Sequence, residues 1–591
     1  MNKLSKLKYL VLLLFIVLNT ANAQVSAQKE GFNQINKQID WKLIVNLPNF
    51  SYAGYGYGEK NIPIIKKRIY NVSNFGIKPD LEKDQTKIIQ TLIDSIGASG
   101  GGVLFFPSGK YNFNMNPNEK QFLKINYSNI VLRGEVGLKL KTIFYNGNNL
   151  TQNDASPWLS PALIQTGFNL QNTLSFWGLD YLRQFSSDKK AISTSTGKVN
   201  EDIQVAKVIA KVTASAKEGQ DVLRLNSTAK IKAGDIILLG MYADENGTLI
   251  KNILKPIQTF YDFEQSAINA SAMQAPSYQW LVAVEKVLSN NAIKLKQPLR
   301  RSIDLKYNPV IGAAPMLTEI GLEDISFQSA WNGYYCHHGC DKNNPDESKE
   351  MDYGWTAINF CRVSNGWIKN VSIENFTNPI YLLDSRNITV QNIDLNGANG
   401  HSGIKIYSHS CDNLIKDIRV NTNYTHVLSG EGNAYGNVFS NVFYKVKDGK
   451  PGYFDFHGFS DRRFSPPSQN LFENIIGMNK INGGGAANNL PHTANYNTWW
   501  NVEMKDFSKS NTEIFYSWMP KENGVLNNNL SHHMYPKSIL IGVFQSGVNL
   551  SVAGNVGDIQ DDWIYTENLN KGFVYPQSLY QAQLALRKKL M

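Results

Sequence analysis

Cysteine is scarce, with four residues in 591, too few for the disulfide framework that staples small secreted domains. Charged residues are also few, at 18 %, which excludes a coiled coil. The 45 glycines follow no three-residue period, which excludes collagen. Beyond the N-terminus, no run reaches the roughly eighteen apolar residues of a membrane-spanning helix. No dense Lys/Arg block or nucleic-acid motif occurs, so nucleic acid is not an expected partner. What remains is 42 % hydrophobic and 11 % aromatic. That excludes a disordered chain and, at this length, requires several cores or one long repetitive one.

Residues 1–23 read as a cleavable export signal. Lys3, Lys6 and Lys8 precede an apolar run over residues 9–18, and Ala21-Asn22-Ala23 is a small-x-small cleavage site. The expected mature chain begins near Gln24 and is secreted or periplasmic, with no stable membrane anchor. Removing the signal lysines takes the formal charge from +10 to +7. An exported basic protein suits an anionic polysaccharide or oligosaccharide as partner. A purely solubilising charge accounts for it equally well.

The most informative local segment begins at Tyr70-Asn71-Val72-Ser73-Asn74-Phe75-Gly76, a strand entering a turn. Asp84 offers a helix N-cap, and Ile88, Ile89, Leu92, Ile93 and Ile96 recur at helical spacing until Gly100-Gly101-Gly102. A strand and turn follow in Val103-Leu104-Phe105-Phe106-Pro107-Ser108-Gly109-Lys110-Tyr111. This order resembles the N-terminal cap of the pectate-lyase-like right-handed parallel β-helix superfamily. The resemblance covers about forty residues. It implies architecture rather than substrate, because that superfamily holds lyases, glycoside hydrolases and tailspikes.

Internal periodicity points the same way. Short words led by Asn or Asp begin at Asp324, Asn370, Asn392, Asp417, Asn441 and Asn474, spaced by 46, 22, 25, 24 and 33 residues. We read the first spacing as two coils of 23 and the last as one coil with a loop. Such a period fits parallel coils stacked about 4.8 Å apart. The expected fold is therefore all-β, a right-handed parallel β-helix with an N-terminal capping helix and an inserted small β-domain. The insert is expected at 200–305, where β-branched alternation and Gly turns suggest antiparallel strands. It divides an N-terminal segment with the first coils (24–199) from coils carrying the site (306–535). Residues 536–591 supply the last coils and a helix capping the final open edge.

Histidine is absent from the first 336 residues, and all nine lie at or beyond His337. His401 and His426 each stand nine residues after a word leader, at Asn392 and Asp417. They are therefore expected to share a phase on neighbouring coils. An imidazole ladder is also an ordinary structural device of such coils, but two rings in one phase with basic and aromatic company favour a groove. That chemistry suits β-elimination on a uronate glycan. A cation must neutralise the carboxylate beside the C5 proton, a base removes that proton, and an acid protonates the leaving oxygen. The expected catalytic set is His401 and His426 as base and acid, Arg419 or Arg462 as neutraliser, and Tyr424 as proton donor, with Lys405 and His457. Arg462, Arg463, His409, Tyr407, His492 and Trp499 are expected to bind substrate.

No metal ligand set is assigned and no cofactor is implied, although a divalent cation such as calcium stays open. Positions equivalent to Asp394 on adjacent coils are Ser372, Arg419 and Phe443, which make no carboxylate ladder for calcium. Cys336, His337, His338 and Cys340, followed by Asp341, have zinc-site residue types, but a local disulfide fits them too. Cys361 and Cys411 are candidates to pair across coils. Hydrolysis is the principal rival. The polygalacturonase group shows a paired Asp and a Gly-His-Gly word, which Gly400-His401-Ser402-Gly403 echoes without the pair. Glu431, Asp455 and Asp461 are the carboxylates that would have to serve. Dehydration of a terminal uronate and non-catalytic glycan binding complete the alternatives. Trp331, Trp355, Trp367, Trp500 and Trp518 suit sugar platforms or plain packing.

Overall fold

The computed structural model describes residues 35–137, 142–150, 160–167, 208–256 (except 243 and 245), 278–333, 354–445, 452–458, 466–483, 491–517, 521–552 (except 523, 524 and 527) and 563–591. Within these residues, 21 strands form one system of parallel ladders, a right-handed parallel β-helix. One ladder runs through Gly321–Ser329, Trp367–Glu374, Thr389–Asn396, Leu414–Val420, Val438–Tyr444, Leu471–Gly483, Thr498–Met504 and Ser538–Phe544. A second runs through Thr356–Cys361, Asn378–Leu383, Gly400–Tyr407, Tyr424–Glu431 and Gly452–His457.

The repeated words have a backbone cause. In register, Ile325, Val371, Ile393, Ile418, Val442, Ile475 and Val502 stack inside. The residue before each has positive φ: Asp324 60°, Asn370 56°, Asn392 56°, Asp417 59°, Asn441 56°, Asn474 53° and Asn501 57°. Asn and Asp tolerate that left-handed conformation best among residues with a Cβ, because their short polar side chains bond locally. They also bond along the stack. Asn370 Nδ2 donates to Asp324 Oδ1 at 2.8 Å, and Asn392 Nδ2 to Asn370 Oδ1 at 2.9 Å. A buried ladder of Asn413, Asn437, Asn470 and Asn497 does the same at another turn, with each Nδ2 donating to the next Oδ1 at 2.9–3.0 Å. One spacing is corrected. Gly321–Ser329 pairs directly with Trp367–Glu374, so the 46-residue interval is one coil with a long excursion, not two coils.

The helix Thr86–Ala98 packs against Leu123–Ile125, Gly102–Phe106 and Ile130–Gly134. Ile89, Leu92, Ile93 and Ile96 are buried, whereas Ile88, counted in the apolar face, is exposed. Asp84 acts at the helix start, its Oδ1 accepting from Thr86 N at 2.8 Å and its Oδ2 from Met115 N at 2.6 Å. Gln85 and Thr86 also bond the backbone of Asn112 and Asn114. The helix entry thereby satisfies polar groups on the strand of the first coil that would otherwise stay unpaired.

Residues 208–313 contribute six strands to a separate antiparallel sheet. The solenoid is continuous past it, because Ile130–Gly134 and Thr142–Asn146 pair directly with Gly321–Ser329. A buried polar network fastens the sheet to the coils. Arg300 pairs with Asp412, Gln297 Nε2 donates to Asp412 Oδ2 at 3.0 Å, and Arg386 donates to Gln297 Oε1 at 2.7 Å and to the Leu281 carbonyl at 3.0 Å.

The C-terminal helix Leu579–Leu590 is placed differently from expectation. Ser578 Oγ and Tyr580 N donate to Glu473, and Tyr580 OH donates to the Ala53 carbonyl. Its apolar face joins Leu414, Val438, Leu471, Trp500 and Ile539. The helix thus lies along the flank of several successive coils and seals it, rather than capping the last one. Among the described residues no helix is long and apolar enough to cross a membrane.

Candidate functional site

The second ladder builds the site. On Gly400–Tyr407, Ile404 and Ile406 are fully buried while Lys405 and Tyr407 alternate with them and remain partly accessible, as the two-residue strand period requires. Lys405 stands opposite Tyr381 on one side and Ser429 on the other, and Ser429 in turn opposes Asp455, which opposes Asn482. Glu431 opposes His457.

The predicted phase of His401 and His426 is one residue off. The link from Leu395 to Gly400 is a residue longer than its partner from Val420 to Tyr424, so Ser402 rather than His401 opposes His426. The N–H groups of His401 and Ser402 both bond the Thr377 carbonyl, at 2.9 and 3.0 Å. The rings still meet. His401 and His426 have centroids 4.9 Å apart, and His426 and His457 are also 4.9 Å apart. The glycines of the Gly-His-Ser-Gly word have steric reasons. A Cβ at Gly400 would lie 2.7 Å from the Tyr424 ring, and one at Gly403 would lie 2.5 Å from the Val427 carbonyl oxygen.

Carboxylates organise these rings. Asp455 Oδ2 is 2.9 Å from His426 Nδ1 and accepts from Asn482 Nδ2 at 3.2 Å, while Asp455 Oδ1 is 3.8 Å from His457 Nε2. Glu431 Oε2 is 2.7 Å from Lys405 Nζ and 3.7 Å from His457 Nδ1. Lys405 Nζ also lies 4.7 Å over the Tyr407 ring. Burial opposes the charge of Glu431, but Lys405 and His457 outweigh it and hold its carboxyl down to about 2. Asp455 is likewise held below the usual carboxylate range, burial being overcome by His426 and then His457. Burial pushes His426 down, against the pull of Asp455. His426, Asp455 and His457 each offer a ligand atom, all within 4.8 Å of one another.

Of the expected residues, the structure brings together His401, His426, His457, Lys405 and Tyr407. Others are corrected. Arg419 belongs to the first ladder, where it pairs with Asp394 and bonds Asn392 Oδ1 at 3.0 Å. Tyr424 is 3 % exposed within the apolar core and its phenol is pushed far up by burial, so it is no proton donor to a groove. His409 sits between the solenoid and the inserted sheet, with Nδ1 2.6 Å from Asp384 Oδ1 and Nε2 3.1 Å from Gln279 Oε1. His492 is fully buried, with Nε2 2.9 Å from Ser517 Oγ and its basicity lowered by burial to about 3. Trp499 is a core residue stacked on Phe472 at 5.5 Å. Trp367 and Trp500 are packed equally deeply. Cys361 and Cys411 are buried free thiols, not a pair. Arg462, Arg463, Asp461, Trp518 and the cluster from Cys336 to Asp341 lie outside the described residues. The sequence reading missed Tyr381 and Asn482. Only register identifies them, although Tyr381 precedes Lys405 by one 24-residue coil.

The His409–Asp384 pair yields a stability prediction. Burial disfavours the Asp384 carboxylate, but His409 more than offsets it and depresses its pKa. The group therefore contributes stability above the unfolded carboxylate range, and loses it as pH falls through the lower folded value. Asp384→Ala should lower the urea unfolding free energy by about 3 kcal/mol or more at pH 7. The gap to wild type should close in titrations taken well below about pH 4.

The fold is a right-handed parallel β-helix, and its N-terminal part is pectate-lyase-like. Residues 69–292 match the family described as rhamnogalacturonase A/epimerase, pectate lyase-like. Residues 428–591, which carry Glu431, Asp455 and His457, match a domain of unknown function, DUF4955. Alginate lyase 7 of Azotobacter vinelandii is 37 % identical over 65 residues, which is 11 % of this chain and 8 % of that protein's length. Two solved structures are similar in fold. The Gp54 tailspike of Acinetobacter baumannii bacteriophage AP22, in complex with A. baumannii capsular saccharide, has 11 % identity and a TM-score of 0.38, over 82 % of this chain and 61 % of that one. A hyperthermoactive exopolygalacturonase from Thermotoga maritima has 11 % identity and a TM-score of 0.33, over 83 % of each chain.

Proposed function

We propose that this protein is an exported polysaccharide lyase that cleaves an acidic, uronate-containing polysaccharide by β-elimination. The observation that carries the reading is the stack of His401, His426 and His457 at 4.9 Å spacings beside Lys405. His401, at the end of the stack, takes the C5 proton. The C5–H electrons form the C4=C5 double bond as the C4–O bond breaks, and a proton from water goes to the leaving oxygen. Hydrolysis fits the wall less well. Glu431 is tied to Lys405 and Asp455 to His426, so neither carboxyl stands ready as the protonated acid that glycoside hydrolysis requires. The short likeness to a protein named as a lyase of alginate agrees with elimination, and the N-terminal signal agrees with an external polymer as substrate.

Incubation with a panel of pectin, alginate, ulvan and glycosaminoglycan chains should raise absorbance near 235 nm on at least one, together with chain shortening. New reducing ends without that absorbance would replace elimination by hydrolysis. Absorbance without chain shortening would mean dehydration of a terminal uronate. Binding with neither signal would leave a non-catalytic glycan-binding solenoid.

A further inference from the structure

The wall that is to receive a uronate is itself lined by carboxylates. Glu431 and Asp455 contribute two carboxylates, and Lys405, at 2.7 Å, is committed to Glu431. Asp455, with a side chain 1 % exposed, is faced by His426, His457 and Asn482. Arg419, the expected neutraliser, is on the other ladder. A substrate carboxylate arriving here would meet repulsion, and elimination demands a cation beside that carboxylate.

The geometry supplies a place for one. The Asp455 carboxylate stands between two ring nitrogens, His426 Nδ1 at 2.9 Å and His457 Nε2 at 3.8 Å. One ligand atom from each of the three residues lies within 4.8 Å of the others. Around a tetrahedral zinc ion with bonds of about 2.0–2.2 Å, neighbouring ligand atoms stand roughly 3.3 Å apart, so the rings need shift by about an ångström. The other nitrogen of His457, Nδ1, faces Glu431 Oε2 at 3.7 Å. A carboxylate behind a ligating imidazole is the arrangement that fixes its tautomer and orientation at metal centres.

We propose that His426, Asp455 and His457 bind a divalent transition-metal ion of the zinc type, which receives the carboxylate of the acidic sugar. Two nitrogen donors and one oxygen suit zinc or a neighbouring first-row ion and not calcium, which takes about six to eight oxygens. Three protein ligands leave a position open, as in zinc sites that act on substrates. His401, outside the triad but in ring contact with His426, keeps its place as base. The carboxylate-receiving role rests on the uronate reading, whereas the ion site stands on its own geometry.

The test uses the full mature chain, stripped with a chelator and titrated with Co²⁺ alone. One ion per chain should bind, with visible absorption of nitrogen and carboxylate coordination. Zn²⁺ should displace it, and millimolar Ca²⁺ should not. The isosteric Asp455→Asn and the ring deletion His457→Ala should abolish the spectrum, Glu431→Gln should weaken binding by about 10-fold or more, and Arg419→Ala should bind as wild type. Absence of stoichiometric Co²⁺ binding, an unchanged spectrum in both Asp455→Asn and His457→Ala, or displacement by Ca²⁺ would overturn the site. Co²⁺ binding without 235 nm product from any uronate polymer would sink the substrate reading and leave the ion site standing. Product formed at an undiminished rate by the stripped chain would sink the ion's role and leave the lyase standing.

Discussion

His401→Ala is expected to reduce the rate of unsaturated-uronate formation by about 10²–10⁴-fold, the range general acid–base groups contribute, while the circular dichroism spectrum stays that of wild type. The ring stands at the end of the stack and is 9 % exposed, so its loss removes a proton acceptor without opening the apolar core. His426→Ala should be as damaging for a different reason, because it removes the residue that touches Asp455 and both neighbouring imidazoles. Tyr424→Phe is the informative contrast. Its ring packs against Gly400 inside the coil and its hydroxyl is 3.5 Å from the Phe376 carbonyl, so turnover should persist. Continuous absorbance at 235 nm measures all three. Full activity of His401→Ala would remove the proposed base.

Asp412→Ala is expected to produce the largest loss of stability, about 3–5 kcal/mol from breaking a buried ion pair. Asp412 is fully buried, pairs with Arg300, and lies 3.5 Å from Arg386. Its removal would leave two guanidinium groups in the seam between the inserted sheet and the coils without their carboxylate. Gln297, held from both sides by Asp412 and Arg386, would lose its geometry as well. Urea unfolding followed by tryptophan fluorescence should show the loss. If the midpoint and slope matched those of wild type, the network would not be what fastens the inserted sheet. Activity at low temperature should survive, because the network belongs to neither the imidazole stack nor its carboxylates.

Much of the fold was legible in the chain because each coil repeats one local requirement. A left-handed backbone position followed by an inward β-branched or aliphatic residue recurs at Asp324, Asn370, Asn392, Asp417, Asn441 and Asn474, and Asn or Asp is the least strained answer each time. The capping helix was legible for a similar reason, since Ile89, Leu92, Ile93 and Ile96 follow one helical face and Gly100 and Gly101 end it at φ of 94° and 90°. The coil count between Asp324 and Asn370 was misjudged because an excursion of any length can leave and rejoin a ladder without altering its register.

The site was legible only in part. A histidine-rich second half and the recurrence of His401 and His426 are properties of the chain, and they led to the wall where the rings meet. The company those rings keep is not. Arg419, Tyr424, His409, His492 and Trp499 have the residue types of a uronate groove, yet one joins the other ladder and four are buried in seams or core. A linear spacing gives phase along one coil, but the face a side chain takes depends on the length of each turn. One residue more between Leu395 and Gly400 than between Val420 and Tyr424 was enough to move the register. A repeating parallel coil follows from the chain alone, because it depends on short-range backbone preference and two-residue alternation. That Asp455 and Glu431 organise the imidazoles, and that Lys405 is already engaged, follows only once the coils are stacked. Those contacts join residues of different coils, whose alignment is set by inter-strand hydrogen bonding.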